Sequence, residues 1–170
     1  MAFSPLFSQI FSPKVVEHFV TVGGVGRLPK APGTFGTLAG IPLAYGLALA
    51  GPNIYLIATL LILLVSVFAC EIHERHTSKH DSQSIVIDEV VGYLIAFAWL
   101  PLTWQSMLAA FAVFRFFDIL KPYPISVLDA RVKGGLGVMI DDVAAGLAAN
   151  IVLQALASRT DLLGGFGVFR

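Results

Sequence analysis

Charge is what this chain has least of. Across 170 residues only 13% are Asp, Glu, Lys or Arg, eleven of each sign, and the formal net charge is zero. That excludes an overall basic field for nucleic acid, and equally an acidic tail. One cysteine, Cys70, excludes an internal disulfide and a cysteine-based zinc cluster. It also sits one residue too close to Arg75 for the loop of a cysteine phosphatase. The first twenty residues lack a basic segment followed by a continuous apolar core and a small-residue cleavage site, so no secretory signal is read there. No Gly-x-Ser-x-Gly elbow supports a serine nucleophile. The glycine-rich stretch 21–36 lacks the Lys-Ser/Thr ending of a nucleotide P-loop, which makes ATP or GTP a poor ligand.

What the chain has in abundance is apolar length. Hydrophobic residues make up 56% and the mean hydropathy is +0.81, values that describe a multi-pass membrane protein. The expected fold is all-α, a polytopic membrane helix bundle forming a single domain over 1–170. Residues 1–20 form an N-terminal surface segment in which 13–20 is a short interfacial helix. About five transmembrane helices follow, at 37–50, 54–69, 85–100, 104–120 and 140–156, and 158–170 is a loose, glycine-rich tail. Each run is shorter than the roughly 20 residues that cross a bilayer core, so the helices must extend into their flanks or thin the membrane locally.

Five crossings put the N-terminal segment and the 70–84 and 121–139 loops on one side. Lys14, Arg27, Lys30, Arg75, Lys79, Lys121, Arg131 and Lys133 fall there, against Arg159 and Arg170 on the other. By the positive-inside rule the cation-rich side is cytoplasmic. The N-termini of the first, third and fifth helices, their positive dipole ends, gather at that face. So do Asp88, Glu89, Asp118, Asp141 and Asp142. Ionised groups in an apolar zone cost roughly 2.5 to 3.5 kcal/mol each on insertion scales, so a cluster of them points to function.

The richest stretch is 115–146. Arg115, Asp118 and Lys121 recur every third residue and share a helix face, and Pro122 and Pro124 then end the helix. Gly134, Gly135 and Gly137 precede Asp141 and Asp142. Glycines beside paired acids and nearby cations suit a phosphate group and a divalent metal. Upstream, Gly33, Thr34, Gly36 and Thr37 open the first apolar run, where backbone N–H groups and two hydroxyls can meet an anion, with Arg27 and Lys30 close by. The competing metal site is His73, His76 and His80 with Glu71, Glu74 and Asp81, although His-x-x-His without a zincin arrangement is weak. Carboxylates with few other ligands favour a hard cation such as Mg²⁺. Outside enzymology the alternative is a small ion or lipid transporter, but the charges lie at one face with no polar path across the first two helices.

Two phospholipid-enzyme patterns compete. The pattern of the cytidine-diphosphate alcohol phosphotransferases is present only in fragments, as Asp129-Ala130-Arg131 and Gly137 with Asp141, and Ala145 stands where its last aspartate belongs. The better match runs from Pro32-Gly33-Thr34-Phe35-Gly36-Thr37, through His80-Asp81 and Ser84-Ile85-Val86-Ile87-Asp88-Glu89, to Arg115-Phe116-Phe117-Asp118-Ile119-Leu120-Lys121-Pro122-Tyr123-Pro124-Ile125. It ends in Gly134-Gly135-Leu136-Gly137-Val138-Met139-Ile140-Asp141-Asp142 with Ala145-Gly146. In these motifs the chain resembles the phosphatidylglycerophosphatase A family over about residues 25–150.

The resemblance implies a bacterial inner-membrane enzyme. It would remove the terminal phosphate of phosphatidylglycerophosphate with Mg²⁺, acting on a phospholipid with no nucleic acid and no protein partner implied. The expected metal ligands are Asp88, Glu89, Asp141 and Asp142 with Asp81, and Asp118 joins the catalytic set by orienting Arg115 or entering the metal shell. Arg27, Lys30, Arg115 and Lys121 are expected to neutralise phosphate oxygens, with Gly33, Thr34, Gly36, Thr37 and Gly135 lining the substrate. Attack by water and attack by a carboxylate both remain open.

Overall fold

A computed structural model describes residues 12–77, 82 and 84–164. The described chain is all-helical. Helix α1 (Pro13–Val20) starts at Ser12, whose hydroxyl accepts from the Val15 N–H at 3.4 Å, and buries Val16 and Val20. A 3₁₀ turn (Val25–Arg27) leads to α2 (Pro32–Leu49), which opens on a proline that needs no donor there. Helix α3 (Pro52–Thr77), α4 (Ile87–Phe97), α5 (Trp104–Leu120), α6 (Ile125–Arg131) and α7 (Gly134–Ala157) complete the bundle.

Several boundaries differ from expectation in ways that matter to the site. Helix α3 runs on through Thr77, so Glu71, His73 and His76 are helical rather than in a loop. Helix α7 starts at Gly134, so Gly135 and Gly137 are helical, and Asp141 and Asp142 lie about two turns inside instead of at its mouth. Helix α6 lies within what read as the 121–139 loop. Part of the expected loose tail is held: Leu163 is buried, and its carbonyl accepts from the hydroxyls of Thr103 at 2.6 Å and Ser106 at 3.2 Å.

Among the described residues, two helices rather than five are long and apolar enough to cross a membrane alone: α3 with 26 residues and α7 with 24. Helix α5 has 17 and α4 only 11. The apolar run 85–100 is not one helix because the chain leaves helical geometry at Ala98, and Trp99 takes a positive φ of 56°.

Helix α4 is nonetheless the hub. It is buried on almost every side, packing on α7, α2, α5 and α3, with Tyr93, Leu94 and Phe97 wholly enclosed. An all-round apolar helix belongs inside such a bundle. The Tyr55 hydroxyl of α3 donates to the Leu94 carbonyl at 2.6 Å, and the Tyr93 hydroxyl donates to Met107 of α5 at 3.2 Å. The outer faces are apolar instead of polar: Ile57, Leu61, Leu64 and Phe68 of α3, and Ile151 of α7, are all exposed. A contiguous apolar exterior of this kind fits lipid as the surrounding medium.

Candidate active site

The starts of α2, α4 and α7, the end of α5 and helix α6 converge on one end of the bundle. Between them lies a cavity of about 510 Å³. Gly33 contributes from α2, Asp88 and Glu89 from the first turn of α4, and Arg115 and Asp118 from the last turns of α5. Lys121 follows at the α5 cap, Asp129 comes from α6, and Asp141 and Asp142 come from α7. Six carboxylates thus face two cations, Arg115 and Lys121. So large an acidic excess would repel a bare phosphate and suits a cation.

The acids divide into two groups. One carboxylate oxygen from each of Asp88, Glu89 and Asp142 lies within 4.8 Å of the others, close enough for all three to hold one ion. Glu89 Oε2 and Asp142 Oδ1 are buried without a hydrogen-bond partner among the described residues. A buried oxygen left so costs free energy unless something binds it. All-carboxylate donors with orphaned oxygens fit a hard divalent cation such as Mg²⁺. Glu89 reaches the cavity because Gly33 leaves room: a Cβ at position 33 would lie 2.0 Å from Glu89 Oε1.

Asp141 belongs to the second group. Successive helical residues point about 100° apart, so while Asp142 turns toward α4, Asp141 turns toward α5, and its Oδ2 lies 2.7 Å from Lys121 Nζ. Lys121 also donates to Asp129 Oδ1 at 2.9 Å. Burial alone would depress the lysine pKa, but hydrogen bonds and charge from Asp129 and Asp141 outweigh it and raise it above the ordinary value. The ammonium is therefore a fixed positive charge. Asp118 takes Arg115 in a close ion pair through Nη1, which also lies 3.9 Å from Glu89 Oε1, while Arg115 Nε is buried without a hydrogen-bond partner among the described residues. Arg115 is thus aligned by two acids and retains an unused donor.

The remaining expected site residues lie elsewhere. Arg27 pairs with Glu17 at 2.7 Å on the surface, and Lys30 is exposed and does not line the cavity. Thr34 does not line it either. Gly36 is buried where a Cβ would come 2.8 Å from Val86 Cβ, so it serves the packing of α2 on the start of α4. The Thr37 hydroxyl donates to the Gly33 carbonyl at 2.9 Å within its own helix. Gly135 packs against α3, its N–H donating to Glu71 Oε2 at 2.8 Å, so Glu71 caps α7. His73 is buried and His76 exposed, outside the cavity lining. His80 and Asp81 lie outside the described residues.

Asp129, named in the sequence only within the Asp129-Ala130-Arg131 fragment, was not among the expected site residues. A further hint was its place just beyond the Pro122-Tyr123-Pro124 turn, after which its carboxylate meets Lys121.

The family model described as phosphatidylglycerophosphatase A matches residues 18–157. The chain belongs to this family. The Haemophilus influenzae phosphatidylglycerophosphatase A is 48% identical over 142 residues, covering 82% of this chain and 87% of that one. The Escherichia coli phosphatidylglycerophosphatase A is 38% identical over 138 residues, 80% of each chain. The matched span contains every described residue that lines the cavity. No solved structure gives a significant match.

Proposed function

We propose that this protein is a Mg²⁺-dependent phosphatase. It hydrolyses the terminal monoester of phosphatidylglycerophosphate to phosphatidylglycerol and phosphate, at the cytoplasmic face of a bacterial inner membrane that it crosses about five times. The observation that carries this is the three-carboxylate cluster of Asp88, Glu89 and Asp142, in a cavity that Arg115 and Lys121 also line. The named activity of the two relatives supplies the substrate.

Mg²⁺ bound there would polarise the phosphoryl group and lower the pKa of a coordinated water. The protein's own groups do the rest. Arg115 offers its guanidinium to a phosphate oxygen, held in place by Asp118 and Glu89. Lys121, fixed between Asp129 and Asp141, adds a second positive charge. The oxygen–phosphorus bond to the attacking group forms as the ester bond breaks, and the departing glycerol oxygen takes a proton. Asp141 acts through Lys121 instead of through the metal. Orientation follows from the cation asymmetry: the cavity shares its end of the chain's topology with Arg131 and Lys133, both exposed, and Arg159 lies at the opposite end of α7.

The deciding experiment incubates the detergent-purified protein with phosphatidylglycerophosphate and Mg²⁺, with no nucleotide. Release of inorganic phosphate is expected. Its absence, or release only when a cytidine nucleotide is added, would overturn the reading.

A further inference from the structure

Helix α4 stops after 11 residues, at the buried Phe97 and Ala98. Of its last carbonyls, Leu94 accepts from the Tyr55 hydroxyl, and Ile95 and Phe97 accept from the N–H groups of Ala98 and Leu100, which leaves Ala96, and Ala98 just past the helix, in want of a donor from another element. Two side chains of α7 supply it. Asn150 Nδ2 donates to the Ala96 carbonyl at 3.0 Å and to the Ala98 carbonyl at 2.8 Å, and Gln154 Nε2 donates to Ala98 at 3.0 Å.

The positions of these bonds carry information. Asn150 and Ala96 are 54 residues apart in sequence, the same offset that separates Asp142 from Asp88 and Gly146 from Gly92. Asp142 and Asp88 share the carboxylate cluster. At the middle pair the backbones touch: a Cβ on Gly146 would lie 2.5 Å from the Gly92 carbonyl oxygen, and one on Gly92 would lie 3.0 Å from that of Asp142. So α4 and α7 run parallel in a single register, with the cluster at one end and the amide bonds eight residues, about 12 Å, further along. Smooth glycine contacts allow two helices to slide, whereas directed hydrogen bonds to particular carbonyls do not.

We infer that Asn150 and Gln154 are positioning residues whose hydrogen bonds lock the axial register of α4 on α7, and thereby the spacing of Asp88 and Glu89 from Asp142. The inference rests on the reading of those three carboxylates as a cation site. A slip of one residue along either helix would move a carboxylate by about 1.5 Å and turn it by about 100°, enough to break a three-ligand site.

The test measures Mg²⁺ affinity directly, by isothermal titration calorimetry of the full-length protein in detergent, well below its unfolding temperature. Asn150→Leu keeps the number of side-chain heavy atoms and removes both donated bonds; Gln154→Leu removes one and is the milder variant should the first fail to fold. Leu153→Ala, which opens a cavity in the buried face of α7, is the control for loss of stability alone. The expected result is a Mg²⁺ dissociation constant raised tenfold or more by Asn150→Leu and at least threefold by Gln154→Leu. At saturating Mg²⁺ the KM for lipid should stay within twofold of wild type, and Leu153→Ala should lower the unfolding temperature without shifting Mg²⁺ affinity. Affinities within threefold of wild type in the folded variants would overturn the inference and leave the cation site standing. Wild-type protein that binds no Mg²⁺ would overturn the cation site itself, and the inference with it.

Discussion

Lys121 Nζ sits 2.7 Å from Asp141 Oδ2, while the adjacent Asp142 turns away from the lysine and joins Asp88 and Glu89. Two neighbouring aspartates that look equivalent in sequence therefore have different partners, and their substitutions should differ in kind. Asp88→Asn, Glu89→Gln and Asp142→Asn each remove a charge from the cation cluster, and each should cut turnover by roughly 10² to 10³, since a bound metal supplies several kcal/mol of charge stabilisation. Asp141→Asn should cost only about 10- to 100-fold, the range for groups that orient a ligand through another residue, and should leave Mg²⁺ affinity near wild type. Phosphate release and Mg²⁺ titration on the four variants check this. Equal loss of Mg²⁺ affinity in Asp141→Asn and Asp142→Asn would return Asp141 to the metal shell.

Arg115 is gripped by Asp118 through one nitrogen while Nε has no hydrogen-bond partner among the described residues. Lysine at this position would keep the charge but lose the planar fork, so Arg115→Lys should raise KM for the lipid by about tenfold, the loss of one good charged hydrogen bond. Mg²⁺ affinity should change little. A raised KM with unchanged Mg²⁺ affinity places Arg115 on the substrate; the reverse pattern would assign it to holding Glu89.

Gly33 leaves the space that Glu89 occupies. In Gly33→Ala the new methyl would lie 2.0 Å from Glu89 Oε1 and 3.2 Å from Arg115 Nη1, so the carboxylate must move. The expected outcome is a folded protein with Mg²⁺ affinity and turnover both down by about tenfold or more, as for displacement of a supporting residue around a metal. Gly46→Ala, where a Cβ meets nothing within 4 Å, should behave as wild type. If Gly33→Ala also behaves as wild type, Glu89 is not held where the cluster requires it.

Topology is open to labelling. In a variant with Cys70 replaced by alanine, a cysteine introduced at the exposed Lys133 should resist a membrane-impermeant thiol reagent in intact cells and react after lysis. One at the exposed Arg159 should react from outside. Labelling of position 133 in intact cells would invert the proposed orientation and put the cavity on the wrong face for a cytoplasmic substrate.

The sequence by itself determined the fold class and which charged residues stand apart. Apolar length and sparse charge called for an all-helical bundle with an apolar exterior, and both are present. Carboxylates beside long apolar runs are costly enough that their presence alone singles out Asp88, Glu89, Asp118, Asp141 and Asp142, and all five line one cavity with Arg115 and Lys121. The extent of α5 was also legible, since Thr103 caps its start and Pro122 follows its end. Tertiary structure decided which of these residues face one another. Hydropathy along 85–100 is uniform, so nothing local shows that α4 ends at Phe97; the side chains that meet the Ala96 carbonyl and the Ala98 carbonyl just past that end, Asn150 and Gln154, are more than fifty residues away. Glycine spacing likewise cannot tell a phosphate cradle from a helix contact, because both need the missing Cβ. Gly36 and Gly135 turned out to admit Val86 and the α3 backbone, and of the glycines that suited a phosphate group Gly33 and Gly137 line the cavity. The direction of a side chain within a pair such as Asp141 and Asp142 is set by the neighbouring helices, and those meet it only in three dimensions.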